Sequence, residues 1–251
     1  MHKISLITVT YNSATTLEST IKSIAEQTAY EEIEYIIIDG NSSDNTVDVI
    51  KENEKLINKW ISEPDNGIYD AMNKGVKMAS GKWIGFLHAD DIFANNKVIE
   101  TLIDLVSNNE YNTVYGNLDY VSANNIDKTI RQWISKPFEK SMLKKGWMPP
   151  HPTLYINKEH FSKIGLFNTD YKIAADFDFV LRLFSHPHTA SIFNNRLMIK
   201  MRVGGASNRS IKNILTKSKE DYLALKRNNI GGAVALIKKN TSKLHQFFKK
   251  S

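Results

Sequence analysis

The sequence contains no cysteine among its 251 residues. This absence excludes disulfide bonds, zinc sites built on thiolates and catalysis by a thiol nucleophile, and it is typical of a reducing compartment. No apolar run approaches the roughly 20 residues that a helix needs to cross a bilayer, so we expect no integral membrane protein. No small-residue cleavage site follows the short apolar stretch at residues 4–9, so we expect no signal peptide either.

Two common phosphate-binding loops are also absent. No Gly-x-Gly-x-x-Gly follows the first predicted strand, and no glycine-rich loop ends in Gly-Lys followed by Ser or Thr. The chain therefore lacks the backbone cradles of dinucleotide enzymes and of P-loop ATPases. A phosphate ligand would instead need a hard cation held by carboxylates, as Mg²⁺ is in many proteins.

The charge is unevenly distributed along the chain. The whole sequence carries 33 Lys and Arg against 27 Asp and Glu, a net charge of +6. From Lys212 to the end there are ten basic and two acidic residues, whereas the first 211 residues carry a net charge of −2. A basic tail on a nearly neutral body predicts contact with something anionic. No aromatic or arginine cluster accompanies the lysines, so we expect no nucleic-acid partner.

The hydrophobic pattern predicts an α/β fold. The predicted strands cover residues 4–11, 35–38, 60–62 and 83–87, and the predicted helices cover residues 14–27, the segment after Asp44 and residues 69–78. The run at 35–38 is apolar on both faces, which is typical of a parallel strand covered by helices. Alternation of strands with helices indicates a sheet with right-handed crossovers.

The second half is less regular. Strands are predicted at residues 113–116 and 129–133 around a polar Asn124-Asn125 turn, and a last strand from Ile192 to Arg202. Apolar residues at helical spacing over 177–184 predict a helix. Two further helices follow, separated near the glycine pair at 231–232.

Aspartates follow two of the predicted strands. Asp39 ends the strand at 35–38, and Asp90 and Asp91 come directly after the strand at 83–87. Ligands of open α/β sheets bind at the carboxyl ends of strands. Each aspartate alone is also explained as a helix cap or a turn residue, but the two sets together favour a shared site. Asp91 is the candidate ligand of a divalent cation, and Asp90 is free for a sugar hydroxyl.

Several segments resemble the motifs of family 2 glycosyltransferases with the GT-A fold. In order along the chain, they are residues 8–12, 37–46, 63–75, 79–81, 86–91 and 176–183. The resemblance implies a Rossmann-like nucleotide-binding mixed sheet flanked by helices, with a C-terminal helical extension. It also implies a GT-A domain over 1–208, whose nucleotide-sugar half is 1–95 and whose acceptor half is 96–208. Basic C-terminal helices would then occupy 209–251.

The resemblance also assigns residues to the sugar donor. Thr10 and Tyr11 would lie under the nucleobase, and Asp39 would accept hydrogen bonds from the base or ribose. Asp65 and Asn73 would border the same pocket. These five positions imply a nucleotide-sugar donor, which we expect to be UDP-linked.

The remaining motifs imply a metal ion and a general base. Asp90 and Asp91 match the family's ribose-and-metal aspartates, with Asp91 the direct ligand of Mg²⁺ or Mn²⁺. Asp176 matches the base that deprotonates the acceptor hydroxyl in inverting members. The chain has Ala175 where the family often has Glu, which leaves Asp178 as a rival base. From the residues alone, the preferred interpretation is that Asp176 is a helix cap, Asp178 a solvated neighbour and Arg182 their partner one turn further on.

Three other residues are candidates for contacts with the acceptor or the diphosphate. Trp147 could stack on a sugar, although core packing is the commoner fate of a single Trp. His151 lies between Pro150 and Pro152 on a stiff loop, where a structural role is the alternative. Arg202 could clamp a diphosphate, and an ordinary loop residue is the alternative.

The C-terminal residues suggest an interfacial helix. Apolar residues fall on one helical face and lysines flank it; the apolar set is Ala233, Leu236, Ile237, Leu244, Phe247 and Phe248, and the flanking set is Lys238, Lys239, Lys243, Lys249 and Lys250. Such a face predicts binding to an anionic membrane surface. Packing of the same face on the catalytic domain is the alternative.

These observations predict one main function. We expect an inverting, metal-dependent glycosyltransferase of cell-surface polysaccharide biosynthesis that acts on a saccharide acceptor, itself lipid-linked. We expect it to be cytoplasmic, and peripheral on the inner face of the cytoplasmic membrane. A nucleotide-sugar-binding protein without turnover is the alternative. A nucleotidyltransferase is disfavoured because residues 12–16 form no glycine-rich basic loop.

Overall fold

The computed structural model describes residues 3–107, 110–204 and 211–248, without the side chains of residues 211, 240 and 242–248. Within these residues, nine strands form one mixed sheet. The strands are β1 (Ile4–Thr10), β2 (Ile33–Asp39), β3 (Lys59–Ser62), β4 (Trp83–Phe86), β5 (Asp91–Phe93), β6 (Thr113–Ser122), β7 (Asn125–Trp133), β8 (Tyr155–Asn157) and β9 (Ser191–Arg202). The helices are α1 (Leu17–Ala25), α2 (Thr46–Glu52), α3 (Ile68–Met78), α4 (Val98–Val106), α5 (Lys158–Ile164), α6 (Ala175–Ser185), α7 (Ile211–Arg227) and α8 (Ala233–Phe248). The predicted α/β class is confirmed.

The first half of the sheet is parallel, in the order β3, β2, β1, β4. Every residue of β1 and β2 is buried, because α3 packs on this part of the sheet and the connecting helices cover it. The register places Thr10 beside Asp39. The loops that follow β1 and β2 therefore leave the sheet at the same edge, as expected for the carboxyl ends of parallel strands.

The second half adds antiparallel pairs. Strand β8 lies antiparallel to β4 and β6, β6 lies parallel to β9, and β7 forms a hairpin with β6. Strand β5 begins at Asp91 and pairs antiparallel with β9, so that Asp91 lies opposite Met201. Strands β5 and β8 have three residues each and were not predicted, because so short a segment shows no periodicity and is defined by its tertiary pairing.

A buried acid fixes the turn between α3 and β4. Glu34 lies within β2 and pairs with Lys59 Nζ at 2.6 Å, while the backbone N–H of Ser80 donates to it at 2.7 Å and the hydroxyl of Ser5 also donates. Burial raises the pKa of Glu34, but these hydrogen bonds outweigh burial and lower it to about 2. A Cβ on Gly81, the residue after Ser80, would lie 2.6 Å from the backbone nitrogen of Ser5, so only glycine fits there.

The C-terminal helices pack on the body of the protein. Helix α7 packs on α6 and on α8, and Ala224, Leu225 and Ala235 join the same hydrophobic cluster as Phe177. The basic helices predicted for 209–251 therefore share a core with the rest of the chain. Among the described residues, no helix is both long and apolar enough to cross a membrane.

The predicted membrane face of the tail is partly wrong. Lys239 was expected on its flank, but it is 2% exposed and pairs with Asp221 at 2.6 Å. Ala233 and Ile237 are exposed while Ala235 is buried, so the buried face differs from the apolar face read from the sequence. Leu244, Phe247, Phe248 and Lys243 lie outside the described side chains, and Lys249 and Lys250 lie outside the described residues.

Candidate active site

The loops after β1 and β2 interlock at the carboxyl edge of the sheet. The backbone N–H of Asn12 donates to Ser42 Oγ at 2.8 Å, and Asn12 Oδ1 accepts from the N–H of Ser43 at 2.8 Å. Asn12 has φ +51°, a left-handed conformation that Asn tolerates better than most residues. This turn leaves the preceding Tyr11 63% exposed, so its ring is available to a ligand.

Tyr11 and Asp65 meet over Gly40. A Cβ on Gly40 would lie 2.4 Å from Asp65 Oδ2 and 3.4 Å from Tyr11 Cδ2. Only glycine therefore allows the aromatic ring and the carboxylate to come together directly after Asp39. Asp65 Oδ1 accepts from the backbone N–H of Gly67 at 2.8 Å, which fixes the carboxylate. The ring and the carboxylate have the character of a nucleoside pocket.

Asp39 and Thr10 lie beneath this pocket, side by side in the register. Asp39 is fully buried, and its carboxylate accepts from the N–H of Ser42 at 3.0 Å and from Ser62 Oγ at 2.6 Å. Thr10 Oγ1 is buried and has no hydrogen-bond partner among the described residues. The Asp39 carboxylate therefore joins the loop after β2 to the end of β3. The hydroxyl of Thr10, at the end of β1, has no partner within the described residues.

Asn73 takes a different role from the one expected. Its Nδ2 donates to the carbonyl oxygen of Phe167 at 2.9 Å, and its Oδ1 accepts from the N–H of the same residue at 2.9 Å. This reciprocal pair ties α3 to the loop before α6. With both ends of its amide bonded to the backbone, Asn73 is left out of the donor pocket proposed below.

Asp91 is a buried carboxylate, and it lies near the charge and the backbone of Arg202. It is 0% exposed, and neither of its carboxylate oxygens accepts a hydrogen bond from the part of the chain that the structure describes. Burial and the neighbouring charge of Asp90 raise the pKa of Asp91 well above its usual range, and the charge and backbone of Arg202 oppose the rise. Such a carboxylate is stable as an anion only beside a cation.

A divalent cation fits this arrangement. Asp90, adjacent to Asp91, is partly exposed. Among the described residues, no group of three or more acidic or histidine side chains is arranged to hold a metal ion, so further ligands would come from a substrate or water. That donor set, with carboxylate oxygen and open positions, is the one that Mg²⁺ and Mn²⁺ accept.

Arg202 is fixed beside the acidic pair. Its Nη1 donates to the backbone oxygen of Asp90 at 2.7 Å, and its Nη2 donates to Ser19 Oγ at 3.1 Å. The structure therefore places the predicted arginine next to Asp90 and Asp91. Its positive charge lies where the two carboxylates would meet a diphosphate.

Two histidines lie between the acidic pair and α6. The rings of His88 and His151 stack with centroids 6.2 Å apart, and His151 also contacts Phe86 at 5.6 Å. Burial lowers the pKa of both, that of His151 to about 4, while the charge of Asp176 acts on both in the opposite direction. The charge of Asp90 also acts on His88, so His88 lies within the fields of both Asp90 and Asp176.

The two aspartates of α6 have different surroundings. Asp176 is partly exposed, and its Oδ1 lies 3.2 Å from the hydroxyl of Tyr69. Asp178 is buried and accepts from Arg182 Nε at 2.9 Å and from Asn228 Nδ2 at 2.9 Å. The pair of Asp178 with Arg182 confirms the salt bridge expected from helical spacing. Asp176 thus has a free carboxylate edge and Asp178 does not.

The sequence matches a known family over most of this site. Residues 5–170 match glycosyl transferase family 2. The chain belongs to this family. Relatives agree: a PGL/p-HBAD biosynthesis glycosyltransferase of Mycobacterium bovis is 30% identical over 211 residues, 81% of this chain and 78% of the relative. The Escherichia coli UDP-Glc:alpha-D-GlcNAc-diphosphoundecaprenol beta-1,3-glucosyltransferase WfgD is 35% identical over 124 residues, 49% of this chain and 48% of WfgD.

Solved structures confirm the fold of this glycosyltransferase. S. aureus TarS superposes with a TM-score of 0.64 and 16% identity over 99% of this chain and 44% of TarS, so the chain spans less than half of that protein. A complex of TarS 1–349 with UDP-GlcNAc gives a TM-score of 0.64 and 15% identity, covering 91% of this chain and 66% of the fragment. The mannosyltransferase PcManGT from Pyrobaculum calidifontis, in complex with GDP-Man and Mn²⁺, superposes with a TM-score of 0.63 and 14% identity. The match covers 99% of this chain and 76% of PcManGT. These likenesses show the GT-A architecture.

Trp147 of this glycosyltransferase belongs to an aromatic cluster. Its ring lies 5.3 Å from Phe184, 5.4 Å from Phe138 and 5.7 Å from Tyr115, measured between centroids. Trp147 is partly buried and packs against the core, which agrees with the alternative, and its contact with an acceptor stays a prediction.

Sequence reasoning gave no role to two residues of the glycosyltransferase site. His88 immediately precedes the Ala89-Asp90-Asp91 segment, and its Nδ1 is buried without a partner among the described residues. Tyr69 begins the predicted helix of residues 69–78 and reaches Asp176, 107 residues away. The position of His88 beside the acidic pair was a usable signal, but nothing in the sequence indicated the contact of Tyr69.

Proposed function

We propose that this family 2 member is an inverting, metal-dependent glycosyltransferase with a nucleotide-diphosphate sugar donor. The observation that carries the proposal is the buried, unpartnered carboxylate of Asp91 beside Asp90 and Arg202. A second carboxylate, Asp176, lies close enough for its charge to act on His88 together with that of Asp90. A cation site at Asp91 and a base at Asp176, with His88 near both, suit displacement at an anomeric carbon.

The donor that we propose is UDP-linked. Tyr11 offers an exposed ring for stacking on a base, and Asp65 offers a fixed carboxylate beside it. Stacking on an aromatic side chain contributes about 1–3 kcal/mol per base. The name of WfgD, a relative 35% identical over 124 residues, gives UDP-Glc as its donor, which supports a UDP-linked sugar.

Asp91 and Asp90 would hold the cation. When bound, Mg²⁺ or Mn²⁺ would supply charge stabilisation for the departing diphosphate. Arg202, held against Asp90 and Ser19, adds a fixed positive charge on the same side. Asp90 is partly exposed and is also placed to accept a hydrogen bond from a donor hydroxyl.

Asp176 acts as the general base in this proposal. It takes the proton of the acceptor hydroxyl while the acceptor oxygen forms a bond to the anomeric carbon. The bond from that carbon to the diphosphate oxygen breaks, and the electron pair leaves with the nucleoside diphosphate. Attack opposite the leaving group inverts the anomeric centre. Tyr69, 3.2 Å from Asp176 Oδ1, orients the carboxylate.

An assay with several donors and a defined acceptor tests the proposal. We expect transfer from UDP-Glc or UDP-GlcNAc, rather than GDP-Man, to a GlcNAc-diphospholipid, with an inverted anomeric configuration measured by NMR. Nucleotide-sugar binding without hydrolysis or transfer of any donor would favour a binding protein instead. Retention of configuration would contradict the role of Asp176.

We also propose a cytoplasmic protein that attaches peripherally to an anionic membrane surface. Val234 and Ile237 of α8 are 66% and 60% exposed and lie three residues apart on one helical face, and Lys238 beside them is exposed. Each lysine near an anionic surface contributes about 1 kcal/mol. A lipid-linked acceptor, as in the name of WfgD, would be presented at such a surface.

Vesicle co-sedimentation tests the attachment. We expect the protein to bind vesicles containing anionic lipid at low salt and to leave purely zwitterionic vesicles alone. Val234→Glu with Ile237→Glu should weaken binding about tenfold or more, because two apolar anchors are replaced by carboxylates that the anionic surface repels. Leu166→Glu, at a residue 39% exposed elsewhere, is the matched control. We use point substitutions and do not remove α8, because Lys239 of that helix is buried in the core. Absence of binding at low salt would contradict the proposal.

A further inference from the structure

Glu220 of α7 holds the segment that leads into α6. Its carboxylate accepts three backbone hydrogen bonds: from the N–H of Lys172 at 2.9 Å, of Ile173 at 2.8 Å and of Ala174 at 3.0 Å. Glu220 is 8% exposed. The backbone N–H groups at the start of a helix have no partner within the helix, and a side chain usually supplies one. Here a carboxylate from another helix supplies partners just ahead of α6.

The segment held by Glu220 also holds the environment of Asp176. Ala174 is two residues before Asp176 and directly precedes the first residue of α6. The carbonyl oxygen of Ile173 lies 2.7 Å from the hydroxyl of Tyr69, the same hydroxyl that lies 3.2 Å from Asp176 Oδ1. A shift of this segment would therefore move both Asp176 and the group that orients it.

Two further polar contacts join the C-terminal helices to the first turns of α6. Lys239 of α8 pairs with Asp221 at 2.6 Å and lies 3.1 Å above the ring centroid of Phe177. Asn228, directly after α7, donates to Asp178 at 2.9 Å. The residues that Glu220, Lys239 and Asn228 contact around the start of α6 all lie within four positions of Asp176 in the chain.

We propose that Glu220 is a positioning residue for Asp176, and that the C-terminal helices form part of the catalytic apparatus. The inference rests on the proposed function of Asp176 as base. Glu220 touches neither substrate nor reacting atoms in this arrangement. It acts by fixing residues 172–174, and through them the direction of the Asp176 carboxylate.

A double-mutant cycle tests the proposal. Glu220→Gln replaces one acceptor oxygen by an NH₂ group that cannot accept from the backbone, and we expect kcat for transfer to fall about tenfold or more. The donor KM should stay within about twofold, because the nucleoside pocket is built by other loops. In an Asp176→Asn background, Glu220→Gln should change kcat by less than about twofold, since the base is already lost. Lys219→Ala, at an exposed neighbour on the same helix, should have parental kcat in both backgrounds.

Other outcomes would overturn the proposal. An equal fall of kcat in both backgrounds, or parental kcat in Glu220→Gln, would show that Glu220 does not act through Asp176. If Glu220→Gln does not fold, Glu220→Asp, which keeps the charge on a shorter side chain, enters the same cycle. Parental kcat in Asp176→Asn alone would instead overturn the base assignment and this inference with it, so the single variant reports on the proposed function and the cycle on Glu220.

Discussion

Asp176→Asn should lower kcat for sugar transfer about 10²-fold or more, the usual effect of losing a general base. The amide keeps the size of the side chain but cannot take the acceptor proton. Donor binding should stay near the parental value, because Asp176 lies on α6 while Tyr11 and Asp65 lie on loops after β1 and β3. Steady-state kinetics with separate calorimetric titration of the nucleotide distinguish these two effects.

Asp178→Asn is the matched control for this prediction. Asp178 is 4% exposed and pairs with Arg182 and Asn228. Breaking a buried ion pair on one side destabilises a protein by about 3 kcal/mol, so we expect a lower midpoint of thermal unfolding with kcat much less affected than in Asp176→Asn. A larger loss of kcat in Asp178→Asn would mean that the roles of the two aspartates are reversed.

Asp91→Asn should nearly abolish transfer, and EDTA should do the same to the parent enzyme. The charge stabilisation that a divalent ion gives to a leaving group amounts to several kcal/mol. A loss of about 4 kcal/mol corresponds to roughly 10³-fold in rate. Adding back Mg²⁺ or Mn²⁺ should restore the EDTA-treated parent but not the variant.

Thermal unfolding separates loss of metal from loss of structure. The Asp91 carboxylate is buried and has no hydrogen bond within the described residues, so removing its charge removes a desolvation cost. We therefore expect metal-free Asp91→Asn to unfold at or above the parental midpoint. Mg²⁺ should raise the midpoint of the parent, in proportion to ln(1 + [Mg²⁺]/Kd), and leave the variant unchanged. Full transfer activity in EDTA would contradict the cation assignment.

The parallel half of the sheet could be predicted from the sequence because its signals are local. Strands such as 35–38 are continuous apolar runs, and each ends at a recognisable turn. The register then brings Thr10 beside Asp39. The motifs predicted that Tyr11 and Asp65 lie in one pocket. Only the structure shows how closely the Asp65 carboxylate approaches the backbone of Gly40.

Other assignments depended on partners far away in the chain. Asn73 has its amide bonded to Phe167, and Trp147 packs with Phe184, and the sequence positions of these two residues did not identify those partners. Helical spacing put Lys239 on the flank of an apolar face, but its partner Asp221 lies on another helix and draws it into the core. A pattern within one helix reports which residues share a face, and it carries no information on what covers that face.

The resemblance of the chain's motifs gave the family. The sequence also predicted the α/β class and the candidate aspartates of the site. These follow from short-range regularities: apolar runs, turn residues, and acidic residues directly after buried strands. Helical spacing in the sequence already indicated the pair of Asp178 with Arg182. Only the tertiary structure decided that Asn228 donates to Asp178 while Asp176 faces Tyr69, and that Glu220 holds the start of their helix. The two aspartates are two residues apart and chemically identical, and the hydrogen bonds that only the fold supplies come from residues 50 and 107 positions away in the chain.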